Sequence, residues 1–370
     1  MQIPSTTYDA AQPGSAAPAG AVDGTNFDRR HAVETGRKFG ELAGLVRQAG
    51  LMDFRPKRYL VKIALNTLIF AAGLVAFFEL GNSWWQLVVA LWMGFYGGQS
   101  AFLWHDAAHK AMFRSKAAAT FVGRIHANLV NGVSYGWWVN HHNRHHSFPN
   151  HLDNDPDIGR RTVIFDISQY ASRKRGQKLV IRYQGVLFFV LLVLEGVKMH
   201  RTAVNALRQR IVRGPWVEGA LLLAHAAIFI GVVFAFLPPE KAILFIVVQQ
   251  ATLGVYFGML FAPNHKGMPV RSDEESLEWL ERQVLTSRNI KPSPLIDFLY
   301  GGLNYQVEHH LFPTMPQMNL GKCRTIVRAY CERNAIPYHE VGFVTSYREV
   351  SSFLHEVSAP VRAGTVPTVS

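Results

Sequence analysis

Four stretches of this chain are too long and too apolar for the core of an ordinary soluble domain. Residues 59–80, 84–104, 216–237 and 242–262 each approach the roughly 20 residues that a helix needs to cross a bilayer. The turn-like GNS separates the first two blocks and PPEK the last two, so the blocks pair as two hairpins. Trp84 and Trp104 stand at the ends of the second block like interface anchors. The two hairpin tips hold a single lysine, Lys241, whereas Arg55, Lys57 and Arg58 precede the first block. Arg160, Arg161, Arg173, Lys174, Arg175 and Lys178 lie between the second and third. Positive charge collects on the cytoplasmic side of membrane proteins, so both termini and the large central loop are expected there. The expected fold is an all-α, multi-pass integral membrane protein of four transmembrane helices. A cytoplasmic helical cap completes it.

A fifth apolar block, residues 185–197, has only 13 residues and carries Glu195 near its end. It is expected to lie in the interface or pack on the bundle, because a fifth crossing would put the histidine-rich segments on opposite sides. Residues 1–26, rich in Pro, Ala, Gly and Ser, are expected to be a disordered leader with no cleavable signal peptide. Residues 27–345 are expected to form one membrane domain, and 346–370 a C-terminal segment and frayed tail. Residues 27–54 have helical periodicity and basic residues, which suits a surface helix on anionic lipid or one packed on the cap. The net charge of +12 has no basic run interleaved with stacking aromatics, so nucleic-acid binding is excluded as a function class. Cys323 and Cys331 lack CxxC spacing and fit a reducing compartment.

Three histidine clusters fall on the cytoplasmic side of this topology. HDAAH follows the second block and places His105 and His109 at i and i+4, on one face of a continuing helix. Taken alone, that pair is equally an incidental polar helix end. VNHHNRHHSFPN contains H-x-x-H-H, and a helix would turn His142, His145 and His146 to one side. His141 falls off that face and is not expected to be a ligand. QVEHH, far downstream, supplies His309 and His310, with Gln306 where the second cluster has its first histidine.

Seven candidate nitrogen ligands exceed the roughly four that one structural zinc takes. No thiolate set for an iron–sulfur cluster is present. Two irons sharing imidazoles would use this many ligands and leave positions open for O2. Neither HDAAH nor HHNRHH has the glutamate of an HExxH zinc protease. Such a dimetal site at a membrane face can reach an acyl chain, whose methylene C–H bonds need a metal–oxygen oxidant.

These residues resemble the membrane-bound fatty acid desaturase family. HDAAH, HNRHHSFPNHLDNDPDI and NYQVEHHLFPTMP are similar to its three histidine boxes in order and spacing, across roughly residues 40–345. The glutamine of the third box resembles the front-end branch, which inserts a double bond between an existing one and the carboxyl end. The resemblance implies oxygen-dependent desaturation of a fatty-acyl chain by two iron ions, with O2 as co-substrate. It also implies one more ligand between the last span and the third box, and His265 in FAPNHKGMP stands there, just past the fourth block. These 370 residues contain no HPGG haem motif and no flavin or nicotinamide fingerprint. Electrons are therefore expected from a separate ferredoxin-like or cytochrome donor with its reductase, docking on the cytoplasmic face.

Asp153 and Asp155 could accept hydrogen bonds from ligand imidazoles and so fix their tautomers, or cap the loop. Asp106 and Glu308 have the same two options, and Gln306 is expected beside the metals. His225, within the third block, is expected to hydrogen-bond Gln249 or Gln250 between helices. GGQS in the second block permits close helix approach or leaves room for an acyl tunnel. The nearest alternative is a diiron alkyl-chain hydroxylase, because the same oxidant gives an alcohol when oxygen rebounds. A metal-transporting membrane protein would place coordinating side chains within the spans, where only His225 qualifies.

Overall fold

Each of the four apolar blocks is one long helix, and three of them start at a proline. The computed structural model describes residues 25–159, 162–272 and 277–366. Most of the expected leader, Arg160, Arg161 and the end of the tail lie outside these residues. The chain opens with α1 (Thr25–Gln48), α2 (Pro56–Leu80), α3 (Gln86–Ala108) and α4 (Lys116–Arg124), and α4 runs into a π-helical turn, Ile125–Val130. Next come α5 (Tyr135–Ser147), α6 (Arg175–Arg182), α7 (Gln184–Leu191), a 3-10 turn at Leu192–Leu194, and α8 (Glu195–Arg208). The second long pair is α9 (Pro215–Phe236) and α10 (Pro239–His265). The remainder is α11 (Trp279–Leu285), α12 (Pro294–Tyr300), α13 (Gln306–Leu311), α14 (Gln317–Arg333), α15 (Phe343–Val357) and α16 (Ala359–Ala363). Asn289–Ile290 pairs in parallel with Glu340–Val341.

The prolines at the heads of α2, α9 and α10 fit because the first helical turn has no partner for the missing N–H. On α2 and α9 the apolar side chains face outward, with Leu68 65% and Leu223 71% exposed. A water-soluble surface does not tolerate so large an apolar face, but a bilayer requires it. α3 and α10 are the inner pair. A Cβ on Gly98 would fall 2.0 Å from the Tyr256 ring, so the GGQS glycines let these two helices touch.

Both inner helices outrun the apolar blocks at the same end. α3 continues past Trp104 through Asp106, and α10 continues past Ala262 to His265. α10 does so across Pro263, which has no N–H for the carbonyl four residues back. The Tyr347 hydroxyl donates to that carbonyl, Met259 O, at 2.8 Å instead.

The fifth apolar block forms α7, the 3-10 turn and the start of α8. The chain bends by 109° between α6 and this stretch. It packs along α10 so closely that a Cβ on Gly254 would lie 2.5 Å from Leu192 O. α1 buries Leu42 and Val46 in one core with Leu280, Val327 and Tyr330, and its Phe39 ring stands 4.4 Å from Trp279. α1 thus packs on α11 and α14. α15 crosses the boundary expected at 345, with Val350 and Leu354 fully buried, so the segment after 345 belongs to the same body.

His225 departs from expectation. Its Nδ1 lies 2.9 Å from Leu129 O, and His200 Nδ1 lies 2.9 Å from Gly132 O. The Leu129 carbonyl near the end of the π-helical turn and the Gly132 carbonyl just beyond it each take a donor from one of the two imidazoles. Gln250 bonds its neighbour Gln249 instead, at 2.9 Å.

Candidate metal centre

The eight expected histidine ligands meet where α3 and α10 end. His105 is on α3 and His109 caps it, His142, His145 and His146 are on α5, His265 ends α10, and His309 and His310 are on α13. All eight are buried. α5 starts cleanly because the Ser134 hydroxyl accepts the Trp137 N–H at 3.2 Å. Its i, i+3, i+4 spacing then turns three imidazoles inward. His141 lies off that face, partly buried, with Nε2 2.8 Å from Asp157 Oδ1.

The imidazoles sort into two groups. His105, His109, His142 and His309 bring one nitrogen each within 4.8 Å of one another, and so do His145, His265 and His310. His146 lies between them. Its ring centroid is 4.7 Å from those of His109 and His309 and 4.1 Å from that of His310.

Hydrogen bonds on the far side of several rings determine which nitrogen faces inward. His145 Nδ1 donates to Asp155 Oδ2 at 3.0 Å, and His265 Nδ1 to Thr286 O at 2.9 Å. His310 Nδ1 donates to Gln283 Oε1 at 2.8 Å, an orientation set by Gln283 Nε2 donating to His146 O. In the neutral rings all three Nε2 atoms hold lone pairs. Those of His145 and His265 face each other at 3.2 Å, which demands a positive charge between them, a proton or a metal. In the other group His105 Nδ1 lies 3.2 Å from Asp106 Oδ1.

Five imidazole nitrogens, His105 Nε2, His109 Nε2, His146 Nδ1, His309 Nε2 and His310 Nε2, are buried with no hydrogen-bond partner among the described residues. Leaving one such group unpaired costs about 1–3 kcal/mol, so five converging on one place fit metal ligation. Protonation is opposed as well. Burial first, and then the neighbouring imidazoles, hold His109, His142, His146, His309 and His310 well below the ordinary histidine value. Burial also pushes His145 down, but Asp155 and then Asp157 outweigh it and hold His145 above that value.

Of the acids, Asp155 and Asp106 face imidazoles. Asp155 also accepts the N–H of Asn150 and of Asp157, each at 2.8 Å. Asp153 is exposed, and the position beside His145 belongs to Asp155 together with Asp157, whose Oδ2 is 3.4 Å from His145 Nδ1. Glu308 bonds Asn289 and Tyr338 instead of an imidazole, and burial raises its carboxyl to about 7. Gln306 Nε2 lies 2.8 Å from His265 Nε2, and its Oε1 accepts from Asn264 at 3.0 Å, so the amide sits at the edge of the second group. Arg288, fully buried, donates to Pro263 O and Lys266 O and pairs with Glu349 at 2.9 Å, fixing the end of α10 that carries His265. Neither Arg288 nor Gln283 stands in any motif.

Deeper among the long helices is a cavity of about 370 Å³, lined by Phe77, Met93, Gly97, His225, Phe245 and Leu253 among others. Its wall is mostly hydrocarbon and aromatic.

The chain is similar to known proteins over most of its length. The family described as fatty acid desaturase matches residues 82–342. An acyl-lipid (9-3)-desaturase of Physcomitrium patens is 30% identical over 337 residues, covering 87% of this chain and 63% of the moss protein. A Delta(6)-fatty-acid desaturase of Caenorhabditis elegans is 28% identical over 87% of this chain and 76% of its own length. A Delta(5) fatty acid desaturase of the same animal is 29% identical over 87% of this chain and 74% of its own. The family match runs from the second apolar block to beyond the third box, and on that ground the chain belongs to the fatty acid desaturase family of oxidoreductases.

Proposed function

We propose that this protein is an oxygen-dependent fatty-acyl desaturase with two irons, held by His105, His109, His142, His145, His146, His265, His309 and His310. The observation that carries the reading is the convergence of eight buried imidazoles in two adjacent groups, five of them with a nitrogen that has no hydrogen-bond partner among the described residues. When bound, the irons would supply the reduction of O2 and the oxidising power to break unactivated C–H bonds, which no side chain has. Overall, two hydrogens leave adjacent carbons, and O2, two electrons and two protons complete the formation of two waters.

The chain's own residues prepare that site. Burial keeps most of the imidazoles neutral and able to bind. Asp106, Asp155, Gln283 and the Thr286 carbonyl hold the rings in single tautomers. Trp138 stacks on His142 at 4.2 Å and meets the fully buried Trp104 at 4.4 Å, so indoles seal the membrane side of the centre against water. The cavity among α2, α3, α9 and α10 suits the methyl end of an acyl chain. The lysines and arginines outside the hairpin tips support a cytoplasmic centre fed by a separate ferredoxin-like or cytochrome donor. Gln306 and the Delta(5) and Delta(6) names of relatives support insertion on the carboxyl side of an existing double bond.

The test is lipid profiling by mass spectrometry of cells that express the chain with an electron donor, beside His145→Ala. A product two hydrogens lighter, absent with His145→Ala, is expected. A product heavier by one oxygen overturns desaturation in favour of hydroxylation.

A further inference from the structure

A tyrosine at the end of a membrane helix ordinarily sits in the interfacial belt, its hydroxyl in water. Tyr59, near the start of α2, is fully buried and packs with Leu103, Ala107 and Met112. Its hydroxyl is 2.9 Å from Asp106 Oδ2 and 3.1 Å from the Gln317 main-chain nitrogen. The other oxygen of Asp106 faces His105 Nδ1. Almost one turn along α2, Lys62 bonds the Gln317 side chain.

The directions of these bonds are forced. The Gln317 N–H can only donate, so the Tyr59 oxygen accepts it and gives its own proton to Asp106. The carboxylate takes Tyr59 on one oxygen and His105 Nδ1–H on the other. His105 Nε2, the buried atom without a partner, then holds a lone pair. We infer that Tyr59 is a positioning residue for the metal centre: it holds Asp106 in the rotamer that fixes the His105 tautomer, and it ties the first histidine box to the head of α14. The inference rests on the metal-centre reading of His105.

The test is a cobalt(II) titration, read by absorbance, of the metal-free protein in detergent micelles. It compares the parent with Tyr59→Phe, Asp106→Asn and the double variant. Tyr300→Phe, which removes a buried hydroxyl bonded to Tyr347 instead, controls for loss of packing. Tyr59→Phe should lose on the order of ten-fold in affinity, in the range known for groups that orient metal ligands. Tyr300→Phe should bind like the parent. The double variant should bind no worse than Asp106→Asn, because Tyr59 acts only through Asp106. Parental affinity in Tyr59→Phe, an equal loss in Tyr300→Phe, or additive losses in the double variant would each overturn the inference. If Tyr59→Phe does not fold, Tyr59→Met fills the pocket with a flexible apolar side chain that has no hydroxyl. A loss there supports the role of Tyr59, and parental binding overturns it. A parent that takes up no cobalt would instead sink the metal-centre reading itself.

Discussion

Glu218 is the buried charge whose removal should damage the protein most, although it lies outside every histidine box. It is completely buried in the first turn of α9. Its carboxylate accepts from the Ser134 hydroxyl at 2.7 Å, the Gly136 N–H at 2.9 Å and the Asn128 amide at 3.2 Å. Ser134 caps α5 and Gly136 lies in its first turn, so a residue of the third span fixes the start of the helix that bears His142, His145 and His146. Glu218→Ala strands the fully buried Ser134 and Asn128 donors away from water and leaves the half-buried Gly136 N–H without its acceptor. At about 1–3 kcal/mol for each buried unpaired group, and with some relaxation, the loss is roughly 3–6 kcal/mol. That is a large part of a typical total stability of about 5–15 kcal/mol. Thermal unfolding of the metal-free protein in micelles should fall by on the order of 10 °C. Glu218→Gln keeps one acceptor oxygen and should lose about half as much. If Glu218→Ala melts within about 2 °C of the parent, the carboxylate does not hold α5 and the reasoning fails.

Two further outcomes follow from the histidine environment. Burial holds His109, His142, His146, His309 and His310 below the ordinary histidine value, and pushes His126 down to about 4. The unfolded chain takes up protons near pH 6.5 that these folded imidazoles refuse, so the metal-free fold should lose stability as pH falls below about 6.5. His145, held above the ordinary value, and Glu308, raised to about 7, oppose that trend against the larger number of lowered imidazoles. Melting curves from pH 8 to 5.5 check the sign, and a flat profile would refute it. Asp155→Asn, at the acceptor of His145 Nδ1–H, should weaken cobalt binding by about ten- to hundred-fold. Parental affinity in that variant would remove Asp155 from the ligand-orienting set.

The long helices and the histidine boxes were legible because each rests on a local rule. A bilayer imposes a span length, and an α-helix imposes i, i+3, i+4, so His142, His145 and His146 could be assigned to one face before any fold was known. Residues that support them from other segments left no such trace. Tyr59, Gln283, Arg288 and Glu218 meet their partners across 47, 27, 25 and 84 residues. No periodicity signals a contact of that range. Asp153 and Asp155 look alike in the sequence because what separates them is a backbone turn. Asn150 adopts a positive φ of 55°, and the turn it begins carries Asp155 inward and leaves Asp153 outside. His225 was paired with a glutamine because depth was matched side chain to side chain, whereas the groups lacking partners were main-chain carbonyls.

The intimate contact of α3 with α10 has a mechanical consequence. Membranes differ in thickness, and spanning helices respond by tilting. Two helices joined at Gly98 and Tyr256 tilt as one strut, so His105 and His265 at their ends keep their separation. The outer helices α2 and α9 turn most of their length toward lipid, while Tyr59 and Glu218 hold their ends nearest the histidines. The spacing of the histidines at those ends should therefore change little as the bilayer thickens or thins.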